Sequence, residues 1–153
     1  MARVVRRRRI AAPASALWGV IADPYHLPRW WPGTQRVENV SEGDDADRSW
    51  TQVLETKDGR GVRADYRCVE ASPKERYVFE QTLEDTPFER FVKRARTEIS
   101  LAPHDGETDV TVALDRRLRG LSRLGAPMMR RAIRRTLDEA LTGLETVATG
   151  ASG

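Results

Sequence analysis

Few side chains in this sequence have the types and spacing that chemistry needs. Tyr66 and Lys93 are the two weak catalytic candidates, because each falls in phase with apolar neighbours in an alternating stretch: Tyr66 with Ala64 and Cys68, Lys93 with Phe91 and Ala95. A phenol or an amine on an inward strand face can serve as proton donor or base. Lys93 has a blander reading, as a strand-end lysine that snorkels to water. Gln81 shares a side with Tyr77, Phe79 and Leu83, so its amide needs a partner, either a core group or a ligand oxygen. Nucleophilic and metal-binding types are sparse. Cys68 is the only cysteine, which excludes an internal disulfide. His26 and His104 are far apart in expected loops or turns, too few ligands for a His/Cys metal site. The acidic run 42–47 lacks calcium-loop spacing and reads as a solvated loop. No metal is expected. No nucleophile elbow, phosphate-binding loop or dinucleotide-binding glycine pattern occurs, and no cofactor is expected either.

The elements that must position these residues follow from composition and periodicity. The 153 residues are 39% hydrophobic and 32% charged, which suits one soluble α+β domain with room for a core. No stretch of about 18 apolar residues exists to span a membrane. The arginine-rich start is followed by only a brief apolar stretch, broken by Pro13, which makes a poor secretory signal; a cytoplasmic location is the expectation. Net charge is +3, and arginine supplies nearly all the positive charge, since lysine occurs only as Lys57, Lys74 and Lys93.

Residues 3–10 are long enough for a strand, although four consecutive arginines disturb its alternation. Pro13 then opens a helix whose apolar face holds Leu17, Trp18, Val20 and Ile21, and Asp23-Pro24 ends it. Asp23 can cap a second short helix over 24–31. Period two takes over afterwards, predicting strands at 35–40, 49–56, 62–70, 76–83, 89–101 and 108–116. The pairs Asp58-Gly59 and Asp105-Gly106 mark hairpins. Beyond Gly120 the apolar residues fall at helical spacing from Leu121 to Val147, with Pro127 either kinking the helix or marking its true start. From Pro127 to Val147 the rise is roughly 30 Å, enough to cross a small sheet. A single domain over 1–148 with a frayed tail at 149–153 is expected.

This order, with Ile10-Ala11-Ala12-Pro13, Leu17-Trp18, Ile21-Ala22-Asp23-Pro24 and Leu27-Pro28-Arg29-Trp30-Trp31-Pro32, resembles the START-like, birch-pollen-allergen-like superfamily (SRPBCC) and its bacterial polyketide cyclase/dehydrase-like group. The resemblance spans nearly the whole chain. It implies a helix-grip fold: a seven-stranded antiparallel sheet wrapped around the long C-terminal helix, with a cavity between them. It also implies a small hydrophobic ligand, since members bind lipids, hormones, quinones and polyketides and only some catalyse a reaction.

Within such a fold the expected pocket lining is Trp50, Tyr66, Cys68, Phe79, Gln81, Phe91 and Thr97 from the strands, Trp31 near the mouth, and Met128 and Met129 from the helix. The same residues could equally fill a core. Trp30 and Trp31 are adjacent on a helix, so one should plug the core and the other gate the entrance, with Trp31 favoured for the gate. Eight arginines at 116, 117, 119, 123, 130, 131, 134 and 135 lie between Asp115 and Asp138 with no acid among them. Arg130, Arg131, Arg134 and Arg135 form either a solvated helix face, partly neutralised by Arg134–Asp138 and Arg135–Glu139 pairs, or a dock for an acidic protein or anionic surface. No aromatic residue interleaves with them, which argues against nucleic-acid stacking. Three functions compete: binding a small hydrophobic molecule, cyclising, aromatising or dehydrating a polyketide, and docking an acidic partner.

Overall fold

The computed structural model describes residues 2–55, 59, 61–84, 86–118 and 126–150. The chain opens with strand β1 (Ala2–Ile10), helix α1 (Ala14–Ile21), a 3-10 turn (Pro24–His26) and helix α2 (Leu27–Trp30). Strands β2 (Thr34–Glu38), β3 (Ser49–Glu55), β4 (Gly61–Ser72), β5 (Arg76–Gln81), β6 (Val92–His104) and β7 (Glu107–Leu118) follow, and helix α3 (Ala126–Thr149) closes the order. The seven strands form one antiparallel sheet in the order β1-β7-β6-β5-β4-β3-β2. Strands β2 to β7 are a continuous meander, and the two short helices carry the chain from β1 at one edge to β2 at the other. This is the helix-grip arrangement.

Local chemistry accounts for the punctuation. Asp105 and Gly106 both have positive φ, 48° and 83°, the pattern of a two-residue hairpin whose twist matches the strands it joins. The β3–β4 ladder closes at Glu55↔Gly61 with Gly59 at φ 79°, while Asp58 lies outside the described residues. The Asp23 carboxylate accepts from the Tyr25 backbone N–H at 3.1 Å and caps the 3-10 turn. Pro127 falls in the first turn of α3 and so marks its start, where a missing N–H costs no helical bond.

Two expectations are corrected. Pro13 is the N-cap of α1 and not its first helical residue. The sixth strand begins at Val92 instead of residue 89, because Pro87–Arg90 turns as a 3-10 helix. A bulge between Val92 and Arg94 then inserts Lys93 into the ladder and breaks the alternation. Phe91 and Lys93 therefore lose the face shared by Ala95, Thr97 and Ile99. Phe91 is 57% exposed.

The core lies between the inward face of the sheet and α3. Ile133, Leu137, Ala140, Leu141 and Leu144 of the helix are buried against Ile10, Ile99, Val110 and Val112. Each large side chain so buried contributes roughly 1.5–3 kcal/mol. The arginine run of β1 resolves into two faces. Arg6 reaches Asp138 at 3.3 Å, and Arg8 reaches Thr142 at 2.7 Å and Glu145 at 3.8 Å, so both clamp α3 to the edge strand. Arg9 turns the other way to Asp109 at 2.8 Å. Asp138 is thus taken by Arg6 rather than by Arg134, whereas Arg135 does meet Glu139 at 3.5 Å.

Candidate functional site

Sheet and helix enclose a cavity of about 50 Å³ lined by Trp31, Gln52, Tyr66, Phe79, Gln81, Ala95, Thr97, Leu114, Arg116 and Thr136. Register explains the convergence. Trp50 pairs with Tyr66, Tyr66 with Gln81, Phe79 with Thr97, Thr97 with Leu114, and Ala95 with Arg116, so one diagonal of the inward face runs from β3 to β7. Along each strand every second residue faces α3, and those on this diagonal are among them.

One wall is aromatic. Phe79 sits edge-on to Trp31, Trp50 and Tyr66 at centroid separations of 6.2, 5.5 and 5.8 Å. Trp50 and Tyr66 stack at 6.1 Å with planes 13° apart. Behind this wall the Trp50 indole N–H donates to Gln52 Oε1 at 3.1 Å, and Gln52 Nε2 donates to Thr34 Oγ1 at 3.2 Å. Gln52 is thereby fixed as a structural link whose second amide hydrogen remains.

The other wall is polar. Tyr66, Gln81, Thr97 and Arg116 present a hydroxyl, an amide, a hydroxyl and a guanidinium that are not bonded to one another. Burial raises the Tyr66 pKa above that of free tyrosine, while the Arg116 charge pulls it back. Tyr66 is therefore a neutral hydrogen-bond donor at physiological pH. Burial likewise lowers the Arg116 pKa, and the Tyr66 phenol is the group that opposes this. An arginine nevertheless stays charged in proteins.

Of the ten residues expected to line a pocket, Trp31, Tyr66, Phe79, Gln81 and Thr97 border this cavity. Trp50 and Cys68 are buried behind it. Phe91 and Met128 do not border it: the first precedes the bulge, and the second lies in the first turn of α3, 80% exposed. Met129 is partly buried against the core. Lys93 is exposed on the bulge, away from the cavity. Trp30 is buried and Trp31 partly open, so the two adjacent rings divide as their directions require.

Arg116, one of the eight arginines between Asp115 and Asp138, faces inward. A signal for it existed: Val110, Val112 and Leu114 are in phase, and the next residue in phase is Arg116. Arg130, Arg131, Arg134 and Arg135 are exposed along the outer side of α3. Among the described residues no group of three or more His, Cys, Asp or Glu could hold a metal ion, and no helix is long and apolar enough to cross a membrane. A larger groove of about 640 Å³ runs between α1 and residues 40–48, lined by Trp18, Tyr25, Asp23, Glu42, Asp45 and Arg48. It is open to solvent, unlike the enclosed cavity, and its walls carry charges of both signs.

Cys68 is fully buried, its thiol donates to the Glu70 carbonyl at 3.3 Å, and burial pushes its pKa up. The raised pKa leaves less thiolate at neutral pH than free cysteine carries. A thiol reagent should therefore label folded protein far more slowly than urea-unfolded protein at neutral pH. Equal rates would contradict the burial.

The model of the family described as polyketide cyclase/dehydrase and lipid transport matches residues 1–149, and the chain belongs to that family. Solved structures with the same fold include TTHA0849 from Thermus thermophilus, 20% identical with a TM-score of 0.77, covering 99% of each chain. A START superfamily protein from Mycobacterium smegmatis has 15% identity and a TM-score of 0.79, covering 99% of this chain and 100% of its own. The Zhui aromatase/cyclase from Streptomyces sp. R1128 has 18% identity and a TM-score of 0.70 over 97% of this chain and 92% of its own. No curated protein sequence matches the chain.

Proposed function

We propose that this protein binds a small, largely hydrophobic molecule, of lipid, polyketide or other aromatic or isoprenoid type, between the sheet and α3. One observation carries the reading: an aromatic wall and four uncommitted polar groups converge on a single enclosed space. Apolar walls with a few placed polar groups are how small-molecule sites are built. The cavity's 50 Å³ is far below the roughly 300–1,000 Å³ of such sites. Entry of a ligand body therefore requires a side chain to move. Trp31 fits that role, being partly exposed, at the end of α2, and two residues before Gly33, whose φ is 81°. Thermal-shift and native mass-spectrometric screening against lipids and aromatic polyketides should find stabilising apolar ligands. No ligand and no shift across such a panel would sink the reading.

Cyclisation or dehydration of a polyketide-like substrate is the second reading. It is favoured because the neutral Tyr66 hydroxyl and the Arg116 guanidinium share one cavity, an acid beside a group able to polarise a carbonyl. Among the described residues the lining contains no histidine, lysine or carboxylate to act as a base, which favours binding. The two part on Tyr66→Phe. An enzyme should lose turnover of a poly-ketone substrate by about 10²-fold or more with ligand affinity little changed, whereas a binding protein should show no turnover in either form.

A further inference from the structure

We propose that the molecule held here is an acidic amphiphile, a hydrophobic carboxylic acid whose carboxylate pairs with Arg116 and accepts a hydrogen bond from Tyr66. This rests on the binding reading above and names the ligand class. Arg116 continues the inward phase of Val110, Val112 and Leu114, a position where another aliphatic side chain would complete the core. It lies in register with Ala95 of β6, whose small side chain borders the same cavity.

Nothing in the described residues neutralises it. The acids of the surrounding strands are engaged elsewhere: Glu80 and Glu98 with Arg96, and Asp115 with Arg117. The acids of α3 that face the sheet edge go to β1, Asp138 to Arg6 and Glu145 to Arg8. A charge removed from water without a partner is strongly disfavoured, and arginine cannot escape by losing its proton. Holding a half-buried guanidinium beside neutral groups alone points to a counter-charge that arrives with the ligand.

A carboxylate is the complementary shape. The guanidinium fork offers two parallel N–H donors, the geometry that a carboxylate accepts. Tyr66 contributes a third donor, and Gln81 and Thr97 border the same space. A cavity of about 50 Å³ suits a head group of that size, with the hydrocarbon body displacing Trp31.

The test uses the neutral fluorophore N-phenyl-1-naphthylamine, displaced in turn by dodecanoic acid, dodecan-1-ol and methyl dodecanoate at mildly alkaline pH. In the wild type the acid should displace the probe at roughly ten- to a hundredfold lower concentration than the alcohol or ester, as a charge-assisted bond predicts. Arg116→Leu should erase that preference, read as the ratio of the displacing concentrations of acid and alcohol, and leave the melting temperature unchanged or higher. Arg116→Gln repeats the comparison should the leucine variant not fold. Equal displacement by acid and alcohol in the wild type, or a preference that survives loss of Arg116, overturns the assignment while leaving the binding reading intact. Failure of the probe and all three competitors to bind the wild type overturns both.

Discussion

Phe79→Ala should lower the free energy of unfolding by about 3–5 kcal/mol, the range for truncating a buried phenylalanine. Phe79 is 3% exposed and touches the rings of Trp31, Trp50, Tyr66 and Tyr77, so its removal deprives four aromatic groups of a common neighbour. The space left is continuous with the existing cavity, because Phe79 is one of its walls. The same variant should therefore bind apolar fluorophores more tightly than the wild type, since volume gained in an apolar site is volume a ligand can use. Urea unfolding measures the first effect and probe titration the second. A loss under about 1.5 kcal/mol would mean that the aromatic wall collapses without cost. Weaker probe binding in a folded variant would show that Phe79 is a ligand contact and not a plug.

Gly143→Ala should destabilise the protein although it replaces the poorest ordinary helix former by the best. On propensity alone the change in the interior of α3 would stabilise by about 1 kcal/mol. A Cβ built at Gly143, however, stands 2.6 Å from the Trp30 carbonyl oxygen and 2.9 Å from its Cα. Both atoms belong to the α2 backbone, which cannot rotate away as a side chain would. Overpacking of this kind costs about 1–3 kcal/mol or more, so the net effect is a loss that grows from alanine to valine. At roughly 2–4 °C per kcal/mol for a chain of this size, the melting temperature should fall by several degrees. Gly19→Ala is the matched control, because Gly19 lies in α1 with no atom within 4 Å of its would-be Cβ. It should raise the melting temperature. Two glycine-to-alanine changes of opposite sign would show that contact with α2, not helix propensity, sets the requirement at Gly143. A stabilising Gly143→Ala would show that α2 yields at little cost. Since α2 ends at the base of Trp31, such yielding would itself bear on how the cavity opens.

Much of the fold was legible because it is encoded locally. Strand alternation, the Asp105-Gly106 turn, the Asp23 cap and the helical spacing of Ile133, Leu137, Leu141 and Leu144 all act over a few residues. Half of the expected lining was legible for the same reason: on β4 and β5 the alternation holds, and Tyr66, Phe79 and Gln81 reach the cavity. Where the period breaks, the reading breaks with it. The bulge at Lys93 carries Phe91 and Lys93 off the inward face, and a one-residue insertion in a ladder leaves no mark in composition.

The sequence by itself determined the element order, the hydrophobic face of each strand and helix, and the family pattern of the first thirty residues. Tertiary structure decided what those faces enclose. Local signals set which way a side chain points relative to its own backbone, whereas a cavity exists only where distant elements fail to fill the space between them. Arg116 shows the difference. Among eight arginines between Asp115 and Asp138 it looks like one more solvated charge, and only the closure of α3 over β7 makes it the charged wall of an aromatic pocket.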